Sequence, residues 1–565
     1  MSDEAKLMRR GGDLLVASLL AQGVDRAFCV PGESYLPVLD ALYDVSDAID
    51  LVVCRQEGGA ANMAEAYGKL TGRPGICFVT RGPGATNASI GIHTAFQDST
   101  PMVMFVGQVG RSMKDREGFQ EVDMVAMFSP LAKWSAEIND ASRIPEYVHR
   151  AFQTAMAGRP GPVVLSLPED MLSDLVDVDI DPGLPAGPLS GAPTDAQLQQ
   201  LAELVENAER PMLILGGGDW NAELGPQVAG FAARFGVSVA VSLRCQDYIS
   251  NHHPNYAGHL TIGAEPKLLQ RVRDADLLIV LGARLGEMTT AGYTLIDPAR
   301  RGANLVHVYP DPDELGRVYQ ANLPINAGAP AMVQGLAQLT SRGASVPRAR
   351  WVEACRQEYL ATLAVTPRET NVDLAAVVTA MRQTLPADTI VASGAGNYTA
   401  WVHRFWQFSQ FRAQLAPTSG AMGYGVPAAI AASLVHSDRQ VVCFAGDGCF
   451  QMNGQELATA VQYGAKVLFV VVNNGMLGTI RMHQEREFPE RVHGTDLVNP
   501  DFVALARAYG LTAERVERTE DFAAVLQRAL AAEGSALIEL VTEKDAISHR
   551  TTIAAMRTKA KAGTP

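Results

Sequence analysis

The sequence predicts an α/β protein made of three doubly wound parallel-sheet domains. Short apolar runs alternate with stretches of helical periodicity along most of the chain, which is the rhythm of strand–helix–strand units. The apolar runs lack the polar alternation of a one-sided sheet, so they are typical of parallel strands buried on both faces. The chain has 565 residues, and at roughly 100–200 residues per domain this length favours three domains.

The first segment, residues 1–175, begins with a predicted helix. Two arginines precede the apolar stretch of "MRRGGDLLVASLLAQG", as in a signal peptide, but acidic residues flank it and its pattern is amphipathic, which favours a helix. Buried strands are predicted at "RAFCV", "LVVC", "PGICFVT", "PMVMFVGQV" and "GPVVLSLP". Between the second and third of these strands, "EGGAANMAEAYGKLTG" is predicted as a helix.

Two further α/β segments follow. The proline- and glycine-rich stretch "VDIDPGLPAGPLSGAPTDAQ" is predicted as the linker into a central domain, residues 190–345. Its strands are predicted in "RPMLILGGG", "VSVAVSL", "ADLLIVLGARL" and "ANLVHVYPDPDEL". After a polar helical stretch, the third domain, residues 365–550, has predicted strands in "DTIVASG", "QVVCFAGDG", "KVLFVVVNN" and "SALIELVTE". The first and third segments share size and rhythm, so we expect related folds.

Composition excludes several classes of function. The formal net charge is −14, which argues against nucleic acid as a partner because phosphate binding needs clustered positive charge. No apolar run approaches the roughly 20 residues that span a bilayer, so we expect no membrane segment. The seven cysteines are scattered without a Cys-x-x-Cys pair, which fits buried thiols in a reducing cytoplasm rather than a zinc ribbon or a redox dithiol.

Polar clusters lie at the ends of two neighbouring predicted strands of the third domain. Asp447 follows one strand within Gly-Asp-Gly, and Asn474 ends the next strand. Because the carboxyl ends of parallel strands meet at one edge of a sheet, these side chains are expected to converge. Their oxygens suit Mg²⁺ or Ca²⁺ shared with phosphate oxygens, and the glycines let a bulky anion approach a helix N-terminus. The pattern predicts a metal-bridged diphosphate site; the alternative is a structural turn beside a polar strand cap.

These clusters resemble the Gly-Asp-Gly…Asn-Asn motif of thiamin-diphosphate enzymes. "RQEGGAANMAEAYGKLTGRPG", "GPGATNASIGIHTAFQDSTPMV" and "FQEVDMVAMF" resemble the pyrimidine-binding domain of the acetohydroxyacid (acetolactate) synthase and pyruvate oxidase group. "GAMGYGVPAAIAA" resembles that group's aminopyrimidine loop. The resemblance extends over about residues 10 to 550, and it implies a pyrimidine-binding, a central and a diphosphate-binding domain in that order.

The resemblance implies a catalytic role for Glu57, which would exchange a proton with N1′ of the cofactor's aminopyrimidine. By its position alone, Glu57 is a first-turn glutamate that complements a helix dipole. In the family, Glu57 comes from one chain and the Asp447 and Asn474 side chains come from another. A homodimer is therefore the least assembly that we expect, and a homotetramer is common in such proteins; a separate regulatory subunit is left open.

The resemblance also implies the residues that hold the cofactor and its metal. Mg²⁺ would bind Asp447, Asn474 and the backbone carbonyl of Met476. Met422 would support the bent shape of thiamin diphosphate, the alternative being an ordinary core methionine, and Gly420 would offer its carbonyl to the 4′-amino group. The other expected cofactor contacts are Gly396, Asn397, Tyr398, Gly446, Gly448, Cys449, Met476 and Gly478.

The substrate positions are those at which this chain departs from its relatives. Phe119 and Gln120 match a Phe-Gln pair that faces the substrate in the family, although a loop phenylalanine is often a packing anchor. "PGESY" replaces the Pro-Gly-Gly-Ala pattern of many synthases. Glu33 and Ser34 would then lie near the reacting carbon, where a carboxylate repels a keto acid unless it is turned away or protonated.

Two histidines bear on the identity of the substrates. His93 stands where the synthases have a small residue, and it is either a core or an active-site histidine. His483 stands where the synthases have a tryptophan that helps to receive the second keto acid. The resemblance implies Mg²⁺- and thiamin-diphosphate-dependent decarboxylation of a pyruvate-like 2-keto acid, with carboligation to a second carbonyl. A decarboxylase, a 2-hydroxy ketone lyase, a flavin-linked oxidase and a non-catalytic subunit are the alternatives, and the retained Glu57 argues against the last.

The sequence of the central domain does not decide whether the protein binds FAD. "LILGGG", "GARLGEMTT" and "YPDPDELG" resemble the FAD-binding central domain of the synthases. Arg284 is retained from their arginine pair, whereas Met288 replaces the second arginine. Many relatives keep this fold without the flavin, so FAD is a possible rather than an expected cofactor.

Overall fold

The structure is a computed structural model, and it describes residues 8–178, 185–298 and 304–563. Within these residues lie three six-stranded sheets, each made of parallel strands, and a separate two-stranded ribbon. The chain divides into two compact units, of which the first extends to Leu189 and takes in Ile430–Val435, and the second comprises the rest. The expected fold class, three parallel-sheet domains with interleaved helices, is confirmed.

The first unit contains one parallel sheet and its helices. Its strands are β1 (Arg9–Arg10), β2 (Arg26–Cys29), β3 (Asp50–Val53), β4 (Gly75–Thr80), β5 (Met102–Gln108), β6 (Trp134–Glu137), β7 (Pro162–Pro168) and β8 (Leu175–Val176). Its main helices are α1 (Gly11–Ala21), α2 (Leu36–Tyr43), α3 (Glu57–Thr71), α4 (Arg81–Asp98), α5 (Met124–Phe128) and α6 (Ile144–Met156). The order across the sheet is β3-β2-β4-β5-β7-β6, and β1 pairs antiparallel with β8. The apolar N-terminal stretch thus forms helix α1, as its amphipathic pattern predicts.

Helices α3 and α4 follow their strands with almost no loop. Gln56 caps α3, because its side chain accepts a hydrogen bond from the backbone N–H of Gly59 at 3.1 Å. The helix ends at Gly72, whose φ of 74° is the left-handed conformation that favours glycine at a helix C-terminus. Helix α4 begins at Arg81, directly after β4 ends. Both helix starts therefore lie at the carboxyl edge of the sheet, where ligands bind in such folds.

The second unit opens with the central domain. Its strands are β9 (Pro211–Leu215), β10 (Ser238–Val241), β11 (Tyr256–His259), β12 (Leu277–Leu281), β13 (Asn304–Tyr309) and β14 (Leu323–Asn326). Its helices are α7 (Asp195–Asn207), α8 (Leu224–Phe235), α9 (Pro266–Asp274), α10 (Ala329–Gln338) and α11 (Val346–Thr362). The order β11-β10-β9-β12-β13-β14 reverses the direction of winding between β9 and β12, which makes the end of these two strands the expected crevice.

The C-terminal domain of the same unit repeats the architecture. Its strands are β15 (Ile390–Ser393), β16 (Gln414–Leu415), β17 (Val441–Gly446), β18 (Val467–Asn473), β19 (Thr512–Val516) and β20 (Ala536–Val541). Its helices are α12 (Leu374–Thr384), α13 (Thr399–Phe405), α14 (Gly425–Val435), α15 (Asp447–Gln451), α16 (Leu457–Gln462), α17 (Gly478–Glu487), α18 (Phe502–Ala508), α19 (Phe522–Leu530) and α20 (Ile553–Gly563). Most of α14 falls within Ile430–Val435, which groups with the first unit. The sheet order is β16-β15-β17-β18-β20-β19.

Every strand that the sequence pattern predicts is present, and the strands that it misses all lie at sheet edges. The missed strands are β6, β11, β14, β16 and β19 of the six-stranded sheets, and β1 and β8 of the two-stranded ribbon. Residues 179–184, in the predicted linker, lie outside the described residues. All seven cysteines are buried, as expected, and none of them forms a disulfide. In the described part of the chain, no helix combines the length and the apolar character needed to cross a membrane.

Candidate cofactor site and active-site residues

Strands β17 and β18 bring the two polar clusters together. The strands pair in parallel register up to Gly446 opposite Val472, so both clusters leave the sheet at one edge. The backbone N–H of Gly475 donates to the Asp447 carboxylate at 2.8 Å, and the second carboxylate oxygen accepts the N–H of Gly448 at 2.8 Å. Helix α15 begins at Asp447 itself, so Gly-Asp-Gly is a strand–helix junction and not a separate turn.

Asn499 is a site residue that the sequence interpretation missed. Its side-chain amide donates to the Asp447 carboxylate at 2.7 Å and to the side-chain oxygen of Asn473 at 2.9 Å. The loop that carries it pairs with the polar cluster, because the N–H of Leu497 donates to the carbonyl of Gly475 at 2.9 Å. Asn499 lies far along the chain from both clusters, and no spacing rule connects it to them.

Asp447, Asn474 and Met476 supply oxygen donors of the kind that a hard cation needs. Asp447 is buried, and the side-chain oxygen of Asn474 accepts the N–H of Met476 at 3.2 Å. Among the described residues no cluster of three His, Cys, Asp or Glu side chains could hold a metal. A donor set of one carboxylate, one amide and one backbone carbonyl fits Mg²⁺ that also binds phosphate oxygens of a ligand.

Cys449 joins three loops at the start of the C-terminal domain. Its thiol accepts the backbone N–H of Gly423 at 3.1 Å and faces the hydroxyl of Tyr398 at 3.6 Å. A Cβ on Gly394 would lie 2.4 Å from the same sulfur, so that position requires glycine. The Cys449 side chain therefore holds the loops before α13, before α14 and at α15 in contact.

Tyr398 lies beneath the glycines of the site. Its ring would be 2.9 Å from a Cβ on Gly396 and 3.0 Å from a Cβ on Gly446. Its hydroxyl accepts the N–H of Gly394 at 3.0 Å, and burial raises its pKa well above the ordinary value. The side chain is thus a buried support for the glycine loops, and the loop backbone is the part that a diphosphate can approach.

Gly420 and Met422 lie in a loop that has open space on one side. Gly420 is exposed, has a φ of 69°, and would meet no atom within 4 Å if it carried a Cβ. Met422 is half-buried, and its methyl group would lie 3.7 Å from a Cβ on Gly448. Asn453 fixes the loop directly after Met422, because its amide donates to the carbonyl of Gly423 at 2.9 Å. The loop leaves space for a ligand beside Gly420 and places Met422 against the Gly-Asp-Gly segment.

Asn397 connects the glycine loop to helix α17. Its side-chain oxygen accepts the Thr479 hydroxyl at 2.9 Å, and its amide donates to the carbonyl of Ile547 at 3.1 Å. Gly478, the first residue of α17, would place a Cβ 3.4 Å from the Asn474 amide nitrogen. The residues that the resemblance assigns to the diphosphate and the metal are therefore close neighbours in one region of the C-terminal domain.

Glu57, in the first unit, is half-buried at the first turn of α3. The side-chain amide of Asn87, on α4, donates to its carboxylate at 2.9 Å. This contact orients one carboxylate oxygen and leaves the other without a described hydrogen bond. Asn87 is a second residue that the sequence interpretation missed, although it lies within the quoted segment "GPGATN".

The loop that carries Phe119 and Gln120 is anchored by the start of α4. The N–H of Gly82 donates to the carbonyl of Gln120 at 2.9 Å, and the guanidinium of Arg81 donates to the carbonyl of Phe119 at 3.3 Å. Gln120 has a φ of 64°, in the left-handed region. The Phe119 side chain is 71% exposed, which is unusual for a large apolar group and leaves it available for a ligand or a partner.

Arg81 lies between two carboxylates. It is buried, forms an ion pair with Glu169 at 2.5 Å, and lies 3.7 Å from the more exposed Glu33. Because the charge of Arg81 is already matched by Glu169, the repulsion that Glu33 would exert on a keto acid is only partly reduced. Ser34, in contrast, is fully buried and bonds to the Thr80 hydroxyl at 2.7 Å, so its side chain packs inside the first unit.

The two histidines differ in exposure. His93 is half-buried on α4. His483 lies on the exposed face of α17, where its Nδ1 is 2.6 Å from the guanidinium of Arg486. Neither position by itself assigns a role to its histidine, and the substrate roles of His93 and His483 remain predictions.

The crevice of the central domain is filled by the chain itself. A Cβ on Gly217 would lie 2.2 Å from the carbonyl oxygen of Gly282, and a Cβ on Gly282 would lie 2.3 Å from that of Gly216. The Trp220 indole donates to the Gly216 carbonyl at 2.7 Å. These glycines are explained by the close contact of two turns, so this glycine-rich pattern gives no evidence for room to hold a flavin.

Comparison with known proteins gives matches to all three domains. Models of the N-terminal TPP binding domain, the central domain and the C-terminal TPP binding domain of thiamine pyrophosphate enzymes match residues 9–127, 198–336 and 394–540. The chain is 33% identical to the acetolactate synthase large subunit of Parasynechococcus marenigrum, over 92% of this chain and 85% of that protein. It is 31% identical to the acetolactate synthase isozyme 2 large subunit of Escherichia coli, over 94% of this chain and 95% of that protein.

Proposed function

The chain belongs to the thiamine pyrophosphate enzyme family, and from this premise we propose how its own residues carry the reaction. It is an enzyme of the acetolactate synthase type, which uses thiamin diphosphate for decarboxylation with carboligation. We propose a 2-keto acid such as pyruvate as the donor and a second carbonyl compound as the acceptor. When bound, thiamin diphosphate supplies the nucleophilic carbon and the electron sink for this chemistry.

Asp447, Asn474 and the carbonyl of Met476 would hold Mg²⁺ against the cofactor diphosphate. The observation that supports this proposal most strongly is the 2.8 Å hydrogen bond from Gly475 to the Asp447 carboxylate, which fixes the two strand ends side by side. The backbone of Gly446, Gly448 and Gly478 would flank the diphosphate, and the loop of Gly396, Asn397 and Tyr398 would cover it, with Cys449 holding the loops together. Asn499 would orient the Asp447 carboxylate toward the cation.

Glu57 would act on the opposite end of the cofactor. Its carboxyl group would exchange a proton with N1′ of the aminopyrimidine, and the amide of Asn87 would orient it. Gly420 would accept a hydrogen bond from the 4′-amino group at its carbonyl, and Met422 would support the two rings from below. Phe119 and Gln120 would face the donor, with His93 and His483 as candidates for more distant substrate contacts. Ser34, which was also expected near the substrate, is fully buried against Thr80 and is left out of this proposal.

We propose a homodimer or homotetramer in the cytoplasm. The active site would lie between subunits, with Glu57 from one chain and the metal ligands from another. Seven buried cysteines without a disulfide support a reducing compartment. We do not include FAD in the reaction, and the visible absorbance spectrum of the purified protein tests this choice.

The direct test measures CO₂ release and identifies the products by mass spectrometry, with pyruvate, thiamin diphosphate and Mg²⁺. We expect wild type to form acetolactate and Glu57→Gln to lose at least about 100-fold in rate, because general acid–base catalysis is typically worth that much. Glu146→Gln, a change of the same kind at an exposed residue of the same unit that pairs with Arg143, is the matched control and should keep the wild-type rate.

Other outcomes select among the alternatives. Acetaldehyde without a ligation product would indicate a decarboxylase, and a bound flavin with oxidised product would indicate an oxidase. No turnover of pyruvate by a protein that binds the cofactor would overturn the proposed donor, and a panel of keto acids and 2-hydroxy ketones would follow. Full activity of Glu57→Gln would contradict its catalytic role.

A further inference from the structure

A cavity lies in the C-terminal half of the chain, at the end of helix α13 that is farther from the glycine loop. Its volume is about 220 Å³, several times the roughly 30 Å³ that one water molecule occupies. The residues that give it its chemistry are Thr366, Arg368, Trp401, Arg404, Phe405 and His549. We call it the α13 cavity. All of its lining residues belong to the second compact unit.

The α13 cavity carries an excess of positive charge. Arg368 donates to the backbone carbonyls of Ser548 and His549, and it forms no ion pair with any described carboxylate. Arg404 pairs with Glu265, and Arg550 pairs with the same carboxylate oxygen at 2.7 Å. Arg368 and Arg404 line the cavity, and Arg550 lies behind it, where all three charges act on His549. Glu265 is the one described carboxylate paired with this group, so the group carries a net charge of +2. An uncompensated charge in a partly buried setting is unfavourable unless an anion joins it.

His549 adds polar atoms that the protein leaves unused. Both ring nitrogens are shielded from solvent, and neither has a hydrogen-bond partner in the described residues. The ring stands edge-on to Trp401 and Phe405, with centroids 6.3 Å and 6.4 Å apart. Burial, together with the charges of the neighbouring arginines, lowers its pKa to about 3. The neutral ring therefore has one N–H to donate, and buried polar groups without partners are rare in folded proteins.

The donors and the charge together define the ligand. Guanidinium groups present parallel N–H bonds that match the oxygens of phosphate or carboxylate. The net charge of +2 matches a dianion better than a single carboxylate, and the Thr366 hydroxyl adds a further donor. We propose that the α13 cavity binds a phosphate dianion, either free or as the end group of a small phosphate ester.

Helix α13 connects this site to the candidate cofactor site. The helix starts directly after Asn397 and Tyr398, and Arg404 lies in its last turn. An anion in the cavity would fix the far end of the helix whose near end lies at the diphosphate loop. Its effect is thus expected on the stability of the loaded enzyme, which can be measured without turnover.

The test uses the holoenzyme saturated with thiamin diphosphate and Mg²⁺, so that the diphosphate site is filled. Sodium phosphate is titrated at constant ionic strength, and binding is followed by calorimetry and by the rise in Tm. We expect a saturable site in wild type, and Arg368→Gln and Arg404→Gln should each weaken it about tenfold or more, because each removes a charge-assisted hydrogen bond. Arg528→Gln, which removes an exposed arginine paired with Glu514, is the matched control and should bind like wild type.

The outcomes separate the sources of the anion. Glycerol phosphate that binds as well as or better than inorganic phosphate would identify an ester as the ligand, and a preference for inorganic phosphate would identify the free ion. The proposal is overturned if no saturable binding is found, if pyruvate or acetate binds as tightly as phosphate, or if both arginine variants fold, hold the cofactor and still bind phosphate like wild type. Wild-type titration decides the first two outcomes even where a variant does not fold.

Discussion

Asn499 holds the Asp447 carboxylate in place without being one of the expected metal ligands. It donates to Asp447 and to Asn473, and so connects the ends of β17 and β18. Residues that orient a ligand in this way tune the affinity of a metal site as strongly as some ligands do. Asn499 thus supports the predicted Asp447–Asn474 pair, and motif matching does not reveal this residue.

Replacing Asn499 should weaken the binding of Mg²⁺ and, with it, of the cofactor. We expect Asn499→Leu, which keeps the side-chain volume and removes the amide, to raise the Mg²⁺ concentration needed for half-maximal activity by about tenfold or more. Gln451→Leu is the control, because Gln451 is exposed and bonds only to Asn499 in the described contacts. Equal effects of the two changes would contradict a specific role for Asn499.

Arg81 shows at the same scale how one buried side chain connects separate loops. The sequence places Glu33 where many synthases of the resembling group have glycine, which predicts repulsion of a keto acid. In the structure the Arg81 guanidinium pairs with Glu169, lies 3.7 Å from the Glu33 carboxylate and also donates to the carbonyl of Phe119. Glu33 and the Phe119 loop are therefore connected through one side chain.

Helix α17 directly follows the predicted metal ligands Asn474 and Met476, and helix α20 is paired with it. Glu485, on α17, is completely buried and accepts two hydrogen bonds from Arg557 on α20. This pairing lowers the pKa of Glu485 to about 2, against an ordinary value of 4.5. Because α17 begins at Gly478, the ion pair also fixes the segment that follows Asn474 and Met476.

The pH dependence of this contact has a definite sign. A carboxyl group whose pKa is lowered on folding stabilises the folded state above its ordinary pKa, and the stabilisation is lost as the pH falls toward the lowered value. We expect Glu485→Gln to lower the Tm at neutral pH, and the difference from wild type to narrow as the pH falls from 4.5 toward about 2. Thermal unfolding followed by circular dichroism across this range measures the difference.

Glu490→Gln is the matched control for this prediction. Glu490 pairs with Lys561 of α20 at 2.7 Å, but both side chains are exposed, so the pair is worth little. Its removal should change the Tm by much less than Glu485→Gln does. A constant difference between wild type and Glu485→Gln down to the lowest pH would show that charge is not the cause.

Edge strands are the elements that the sequence predicts least well. The central strands β5, β7 and β18 are buried along nearly their whole length, and their continuous apolar runs predict them directly. The edge strands are different: β19 alternates exposed and buried residues, and β16 has only two residues. Such segments carry too few apolar positions to be distinguished from loops, since their pairing depends on a partner strand distant in the chain.

At the scale of the whole molecule, the proposed active site draws on two chains. Glu57 belongs to the first compact unit, and Asp447 and Asn474 belong to the second. If each site combines the first unit of one subunit with the second unit of another, a defect in one unit can be compensated by a different subunit. Oligomerisation would then be required for activity and not only for stability.

Mixing two inactive variants tests this arrangement. We expect co-expressed Glu57→Gln and Asp447→Ala chains to form mixed dimers in which one of the two sites is intact, so that activity returns although each variant alone is inactive. Co-expression of Glu57→Gln with Glu57→Ala is the control and should stay inactive. Absence of activity in isolated mixed dimers would mean that each chain builds its own site.

The sequence by itself determined the three parallel-sheet domains, most of their central strands, and the thiamin-diphosphate family to which the chain belongs. These properties follow from apolar runs and from motifs in which neighbouring residues carry the information. Only the tertiary structure decided that Asn499 and Asn87 support the expected site residues, that Ser34 is packed inside, and that Arg81 connects Glu169, Glu33 and the Phe119 loop. The physical reason is that hydrogen bonds, burial and charge balance depend on groups brought together from distant parts of the chain, and a local pattern does not record them.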